Sequence, residues 1–461
     1  MICHISQKRV TELLKNIVEL SINFPNQVLF LFKLNIVNRH IKSYNIDGSF
    51  KSKAIHWADQ FTHCTYFNNN GITYPFNPFP NLLAVGIHSV ITFNNIDDFK
   101  SLKNHCENSA DWLVGYLGYD LMNQIERLSS KNEALHDFPD IYFYEPVHII
   151  EFEQSAVKIS SVSEPEKIYR QINEFEFLEK TNKVAKHTLR QIISKEEYID
   201  SVNNLRNHIL EGDIYELNYC IPFVANNIEI DPLNLYQNLA GHSPTPFSVY
   251  QKIDNQYLIC ASPERFLKKV GNKLISQPIK GTIKRGANEQ EDLQQIALLR
   301  NSEKERAENM MIVDLVRNDL ARSCKAGTVK VEEMFGIYPF KHLFQMISTV
   351  SGELKDSVHF IDSIKNAFPM GSMTGAPKIK AMELIEKYEQ AKRGLFSSAV
   401  GFITPAGDFD FNVVIRSIFY DGTDKRLSFQ AGSAITYDSD PHEEYEECML
   451  KVKAILNAIN Y

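Results

Sequence analysis

The chain has 461 residues, of which 44% are hydrophobic, 11% aromatic and 23% charged, a profile that excludes a disordered, collagenous or coiled-coil protein. A net charge of −8 argues against nucleic-acid binding as the main task while leaving an anionic substrate open, and at about 150 residues per domain the length allows up to roughly three domains. Seven scattered cysteines without a CxxC pair indicate a reducing compartment and no zinc site, and the early apolar run from Val28 to Val37, broken by Lys33 and Asn35, is too short to span a bilayer, so a cytoplasmic location is expected.

Residues 1–45 are basic and rich in Asn and Ile, and read either as a peripheral helix and strand or as an extension from an early start codon. From 46 to 180, short alternating runs such as Leu82–Val85 and Ile141–Tyr144, broken by Asn, Asp, Gly and Pro, predict a β-rich N-terminal region. A polar, basic boundary at 180–195 opens the next region, read over 190–461. Ser194 and Glu197 form a capping box for a helix carrying Tyr198, Val202, Leu205 and Ile209 and ended by Gly212. An extended run over 213–225, a hairpin at Gly271–Asn272, a helix from Ser302 to Arg317, a second hairpin at Gly407–Asp408 and a strand Arg426–Gln430 follow. A C-terminal helix starts at Asp440 and Pro441. Strands come as hairpins and not in alternation with helices, which predicts an α+β fold with largely antiparallel sheets.

Two predicted helices carry paired carboxylates. Glu305 and Glu308 project from one face of the first, above an apolar stripe of Met311, Ile312 and Leu315, and Glu444 and Glu447 repeat the spacing in the last. Facing each other, the pairs would form an oxygen-rich site for a hard divalent cation; separately, each is an ordinary solvated face, and spacing alone leaves both readings open.

Lys280, in QPIKGTIKRG, sits between a Pro-Ile turn and a glycine. It is either a buried nucleophile of lowered pKa or a surface hairpin lysine like Lys284 and Arg285. In MGSMTGAPK the backbone N–H groups of Thr374 and Gly375 are expected at a helix start, where they would suit a carboxylate, and QAGSAIT is expected to present Gly432 and Ser433 from a second glycine turn. Glu264, after a strand Tyr257–Ala261, is a general acid or a salt-bridge partner of Arg265 or of another base. Arg416, inside the apolar run VVIRSIFY, is expected to meet a carboxylate. His342 reads as a ligand contact or as a satisfied core histidine.

Taken together, SPERFL, QPIKGT, AENMMIVDLVRNDLAR, GSMTGAPK, GFITPAGDFDFNVVIRS and AGSAITYDSDPHEEYEE resemble, in order, the motifs of the chorismate-utilising enzymes, over about residues 190–461. Within that family the resemblance is to the component I branch of the aminodeoxychorismate synthases, because Lys280 stands where that branch carries a lysine and anthranilate synthases typically carry alanine. Glu216, in GDIYELNYC, replaces the lysine of the water-adding isochorismate and salicylate synthases and departs from the glutamine common in the aminodeoxychorismate branch.

The resemblance implies two antiparallel sheets packed as a sandwich with helices outside. It implies that Lys280 attacks C2 of chorismate, that Glu264 protonates the departing C4 hydroxyl, and that ammonia then adds at C4. It further implies Mg²⁺ held by Glu308 and Glu447 with Glu305 and Glu444 nearby, and His342 as an active-site histidine. Arg416, Lys451, Thr374, Gly375, Gly432 and Ser433 would be the substrate clamps. No nucleophile elbow surrounds any cysteine, so ammonia is expected from a separate glutamine amidotransferase subunit. The rival expectations are anthranilate synthase component I and a non-catalytic protein that binds the amidotransferase.

Overall fold

The strand Ile141–Phe152, twelve residues long, connects two layers of sheet. In the computed structural model, which describes residues 37–93, 95–177 and 189–459, its first residues pair with Leu113–Leu117, and the rest with Leu82–Val90 and Ala156–Ser161. The readings made for residues 1–36, and for most of the polar boundary near 180, lie outside the described residues.

Eight strands carry the site region: β1 (Glu216–Ala225), β2 (Arg265–Val270), β3 (Ile279–Lys284), β4 (Lys330–Pro339), β5 (Leu343–Glu353), β6 (Gly375–Ala376), β7 (Ser417–Asp421) and β8 (Arg426–Ile435). The first layer runs from His40–Asn45 through Ala156–Ser161, Ile141–Phe152, Leu82–Val90, His63–Asn68, Phe247–Ile253 and Gln256–Ser262 to β7, β8 and β1. The second runs from Leu113–Leu117 through Ala399–Ile403, Phe409–Asn412, β2 and Lys273–Gln277 to β5, which also takes β3 and β4. Every one of these pairings is antiparallel, as the hairpin-rich sequence predicts, and the two layers are parts of one continuous hydrogen-bonded network.

The layers face each other across aromatic side chains. Phe67 of the first stacks edge-on against Phe402 of the second at 5.3 Å between ring centres, inside a core that also takes Val249, Leu258, Leu267 and Phe411. Helix α1 (Lys195–Leu210) and the C-terminal helix α4 (Pro441–Ile459) cover the outer face of the first layer. Tyr198, Val202 and Leu205 of α1, with Val452 and Ile455 of α4, make a second core there. The capping box of α1 is present as predicted. Helix α2 (Glu303–Ser323) packs Ile312, Val313, Val316 and Leu320 against the second layer.

Three elements differ from the sequence reading. Helix α2 runs one and a half turns past Arg317, to Ser323. A helix precedes it, Glu289–Asn301, of which only Leu299 is buried, so its sequence carries little apolar periodicity. Strand β8 continues to Ile435, through the segment read as a glycine turn.

Two of the chain's crossings between the layers lie side by side. Pro263 and Glu264 link Gln256–Ser262 to β2, and residues 413–416 link Phe409–Asn412 to β7. The Ala261 N–H donates to the Arg416 carbonyl at 3.2 Å and the Val413 N–H to the Glu264 carbonyl at 3.0 Å. Arg416 turns the corner at φ +51°, a conformation uncommon for a residue with a Cβ.

Candidate active site

Lys280 sits in a bulge. Ile279 faces Ile347 and Thr282 faces Gln345, so β3 carries one residue more than β5 between those pairs, which bends the strand and re-aims the side chain within it. Gly281 makes the bulge possible at φ +101°, where a Cβ would come within 3.1 Å of Glu305 Oε2 and Met346 Cβ. Asn309 of α2 donates to the Lys280 carbonyl at 3.1 Å and accepts from Ser348 Oγ at 2.6 Å, pinning the bulge to helix and strand.

From this position Lys280 reaches the other layer. Its Nζ lies 2.5 Å from Glu216 Oε1 at the start of β1, with the lysine side chain 10% and the glutamate 0% exposed. The surface-hairpin reading of Lys280 is therefore excluded. The lowered pKa expected of a buried lysine is corrected too: burial pulls it down, but the charges of Glu216 and Glu308 and the hydrogen bond to Glu216 outweigh that and raise it. Lys280 is held as an ammonium with its proton acceptor already in contact. The second oxygen of Glu216 is buried without a hydrogen-bond partner.

Glu264 occupies the crossover beside this pair. The Arg265 guanidinium turns instead to Asp410, at 2.9 Å, so the salt-bridge reading of Glu264 is set aside. Burial pushes its carboxyl up to about 7, against the opposing pull of a hydrogen bond from Ser372 and the charges of Lys280 and Arg416. Arg416 was expected to meet a carboxylate. Among the described residues it makes no ion pair within 4 Å, and burial lowers its pKa while the charge of Glu264 raises it.

The two glutamate pairs do address one region. Burial pushes Glu308 up to about 7, and Glu305 upward, with the charges of Glu447 and Glu444 adding to the rise of Glu305. Glu447 moves down despite burial, because Lys451 lies 2.8 Å away. Glu444 is buried and accepts from Ser439 Oγ at 2.8 Å. Lys304, which the sequence reading passed over, feels all four: burial opposes its charge, but Glu308, Glu444, Glu305 and Glu447 together raise its pKa. These are hard oxygen donors in the mutual repulsion that a divalent cation would relieve, so the donor chemistry fits Mg²⁺. Among the described residues no three of them bring carboxylate oxygens within 4.8 Å of one another; a ring nitrogen of His208 and carboxylate oxygens of Glu211 and Asp213 do lie that close, at the C-terminal end of α1.

The glycine segments are built differently from the expectation. Helix α3 (Lys378–Tyr388) begins after Pro377, so Thr374 and Gly375 precede it instead of forming its first turn. The Thr374 N–H donates to the Gly371 carbonyl at 3.1 Å, and its hydroxyl to the Met370 carbonyl at 3.2 Å. Gly375 belongs to β6 and pairs with Leu217; a Cβ there would lie 2.1 Å from the Glu216 carbonyl oxygen. Gly432 and Ser433 lie within β8, opposite Cys220 and Tyr219 of β1, where a Cβ on Gly432 would meet Cys220 Sγ at 2.5 Å. In both places glycine admits a close strand contact. Lys451 Nζ donates to the Gly432 carbonyl at 2.7 Å, and Ser433 Oγ hydrogen-bonds Tyr198 at 3.0 Å.

His342 does not join this group. It is exposed in the turn between β4 and β5, with its ring on the His242 carbonyl at 3.2 Å. Three residues further along, Gln345 pairs with Thr282 of the Lys280 strand and is 2% exposed, its Oε1 without a partner. A polar residue in the otherwise apolar start of a strand was the available signal.

A lysine, two acids and an arginine thus converge where the layers meet, with four further carboxylates beside them. The family described as chorismate binding enzyme matches residues 77–457. The chain belongs to that family. It is 35% identical over 350 residues to anthranilate synthase component 1 of Saccharolobus solfataricus, covering 75% of this chain and 80% of that one. It is 32% identical over 362 residues to aminodeoxychorismate synthase component 1 of Bacillus subtilis, covering 75% and 76%. Anthranilate synthase component I from Streptococcus pneumoniae superposes with a TM-score of 0.71 at 25% identity, over 84% of this chain and 94% of that one. The matched region begins within the 46–180 segment and runs almost to the end of the chain. Among the described residues no helix is long and apolar enough to cross a membrane.

Proposed function

We propose that this chorismate-binding enzyme is component I of an aminodeoxychorismate synthase, converting chorismate and ammonia to 4-amino-4-deoxychorismate in the cytoplasm, with ammonia delivered by a separate glutamine amidotransferase subunit. The observation that carries this reading is the Lys280–Glu216 contact beside Glu264: a buried amine with a proton acceptor at 2.5 Å and a neighbouring acid poised near neutrality.

Lys280 gives a proton to Glu216, and its freed amine attacks C2 of the substrate. Both conjugated ring double bonds shift toward C4, the C4–O bond breaks, and Glu264 supplies the proton with which the hydroxyl leaves as water. Ammonia then attacks C4, both double bonds shift back and the C2–N bond to Lys280 breaks. The ammonium formed at C4 loses its proton to Glu264, and Glu216 returns its own to the released lysine. The net change is replacement of OH by NH₂ with release of water.

Arg416 and Lys451 supply cations for the two substrate carboxylates, between walls formed by Thr374–Gly375 and Gly432–Ser433. Mg²⁺ would be held by Glu308 and Glu447, with Glu305 and Glu444 nearby, and would supply positive charge opposite a substrate carboxylate.

Similarity to proteins named anthranilate synthase component 1 favours a second reading, formation of anthranilate with release of pyruvate. Incubating the purified protein with chorismate, Mg²⁺ and ammonium, with and without an aminodeoxychorismate lyase, separates the two. Para-aminobenzoate that appears only with the lyase is the expected result, and lyase-independent anthranilate overturns the proposal. No turnover, even with a cognate amidotransferase, would make the chain a non-catalytic partner.

A further inference from the structure

A cavity of about 20 Å³ adjoins Glu264, and neither Lys280 nor Glu216 lines it. Ser372 lies on its wall beside Glu264, and α2 contributes Val316, Asp319 and Leu320, one helical turn apart on a single face. A water molecule needs about 10–15 Å³ and two or more polar partners, so the space has room for one.

A carboxyl on that otherwise apolar helix face is costly unless it is partnered. Asp319 is 5% exposed, and Lys378 Nζ, at the start of α3, donates to its Oδ2 at 2.7 Å and to the Ala367 carbonyl at 3.3 Å. Burial pushes the Asp319 carboxyl upward, Lys378 and Arg322 pull it back, and Glu126 adds to the rise. The ion pair engages Oδ2 and leaves Oδ1 for a further partner.

Glu264 has the complementary need. Ser372 and the Ile279 N–H hydrogen-bond its carboxylate, and Lys280 and Arg416 lend it positive charge; all four favour the ionised form, and burial opposes them. Arg265, next in the chain, is turned to Asp410. An acid that must meet its substrate protonated gains from an acceptor for that proton, and Asp319 is a buried anion on the wall of the same cavity.

We propose that one water in this cavity accepts a hydrogen bond from the Glu264 carboxyl and donates one to Asp319 Oδ1, so that the Asp319 carboxylate holds Glu264 in its protonated form. Asp319 is then a positioning residue that acts on the reaction through Glu264, and Lys378 keeps it in place. The consequence for turnover rests on the role proposed above for Glu264; the coupling of the two carboxyls does not.

The test is an infrared titration of the full-length protein without substrate, in which the carboxyl band missing from Glu264→Gln reports the protonation of Glu264. A midpoint of about 7 is expected for the wild type. It should fall to about 6 in Asp319→Asn and in the double variant Asp319→Asn/Lys378→Met, which leaves no unpaired charge should the single variant fail to fold. Lys378→Met alone keeps the aspartate and should not lower the midpoint. A midpoint that stays near 7 without Asp319 overturns the proposal, and so does an equal fall in Lys378→Met, because the pair would then be only a scaffold. A crystal structure with no ordered water between the two carboxyls overturns it as well. In turnover assays the decline in rate above neutral pH should begin about one pH unit lower in Asp319→Asn. A titration that moves without the rate profile moving would leave the coupling standing and remove Glu264 as the acid, so the two readings fail separately.

Discussion

Lys280 and Glu216, 64 positions apart in the chain and on different sheet layers, meet at 2.5 Å with almost no solvent access. The contact joins the two layers and, in the proposed reaction, sets the attacking amine beside the group that deprotonates it. Removing the lysine affects both functions.

Lys280→Ala is expected to abolish formation of 4-amino-4-deoxychorismate and of any lysine-linked intermediate seen by intact-mass measurement. It should also cost about 3–5 kcal/mol of stability in urea unfolding, because Glu216 is left as an unpaired buried charge. The double variant Lys280→Ala/Glu216→Gln should recover most of that stability but none of the activity. Unchanged product formation in the single variant would remove the covalent role.

Glu264 and Glu308, each pushed up to about 7 from 4.5, bind protons in the folded state that the unfolded chain releases at lower pH. Their contribution to stability is therefore full below about pH 4.5 and is lost as pH rises through 7, by about 3 kcal/mol for each group. In Glu264→Gln the loss between pH 5 and 8 should shrink by that amount in denaturant titrations at each pH. The same variant should lower kcat by about 10²–10⁴-fold and abolish the decline in rate above pH 7 that deprotonation of the acid causes in the wild type.

Glu447→Gln and Glu308→Gln should each raise the Mg²⁺ concentration needed for half-maximal turnover by about tenfold, and a chelator should abolish turnover of the wild type. Lys304→Met should act in the opposite direction, because it removes the ammonium that offsets the four carboxylates when no cation is bound. An unaltered metal response in all three variants would count against the carboxylate assignment.

Gly432→Ala and Gly375→Ala test the close strand contacts at β1. The added methyl would lie 2.5 Å from Cys220 Sγ in one case and 2.1 Å from the Glu216 carbonyl in the other. Each should destabilise the fold by about 1–3 kcal/mol or more, with the larger effect at Gly375, where the obstacle is backbone. Thermal unfolding of the two variants gives the comparison.

Local physics in the sequence determined much of this protein. Hairpin turns at Gly271 and Gly407 dictate antiparallel strands, the Ser194–Glu197 box starts α1, and the three-residue spacing of Glu305 with Glu308 and of Glu444 with Glu447 puts each pair on one helix face. The motif order also singled out Lys280 and Glu264, which the fold brings close together. What the sequence could not carry is whatever depends on partners distant in the chain. The proton acceptor of Lys280, the protonation of Glu264 and the placing of Lys304 among four carboxylates arise only when the layers close, because burial and charge proximity are properties of the assembled seam. For the same reason glycines that resemble turn residues proved to lie in strands at Gly375 and Gly432, and His342 proved to sit in an exposed turn. A glycine that permits a turn and one that permits close strand contact look alike in sequence, and only the neighbouring strand decides between them.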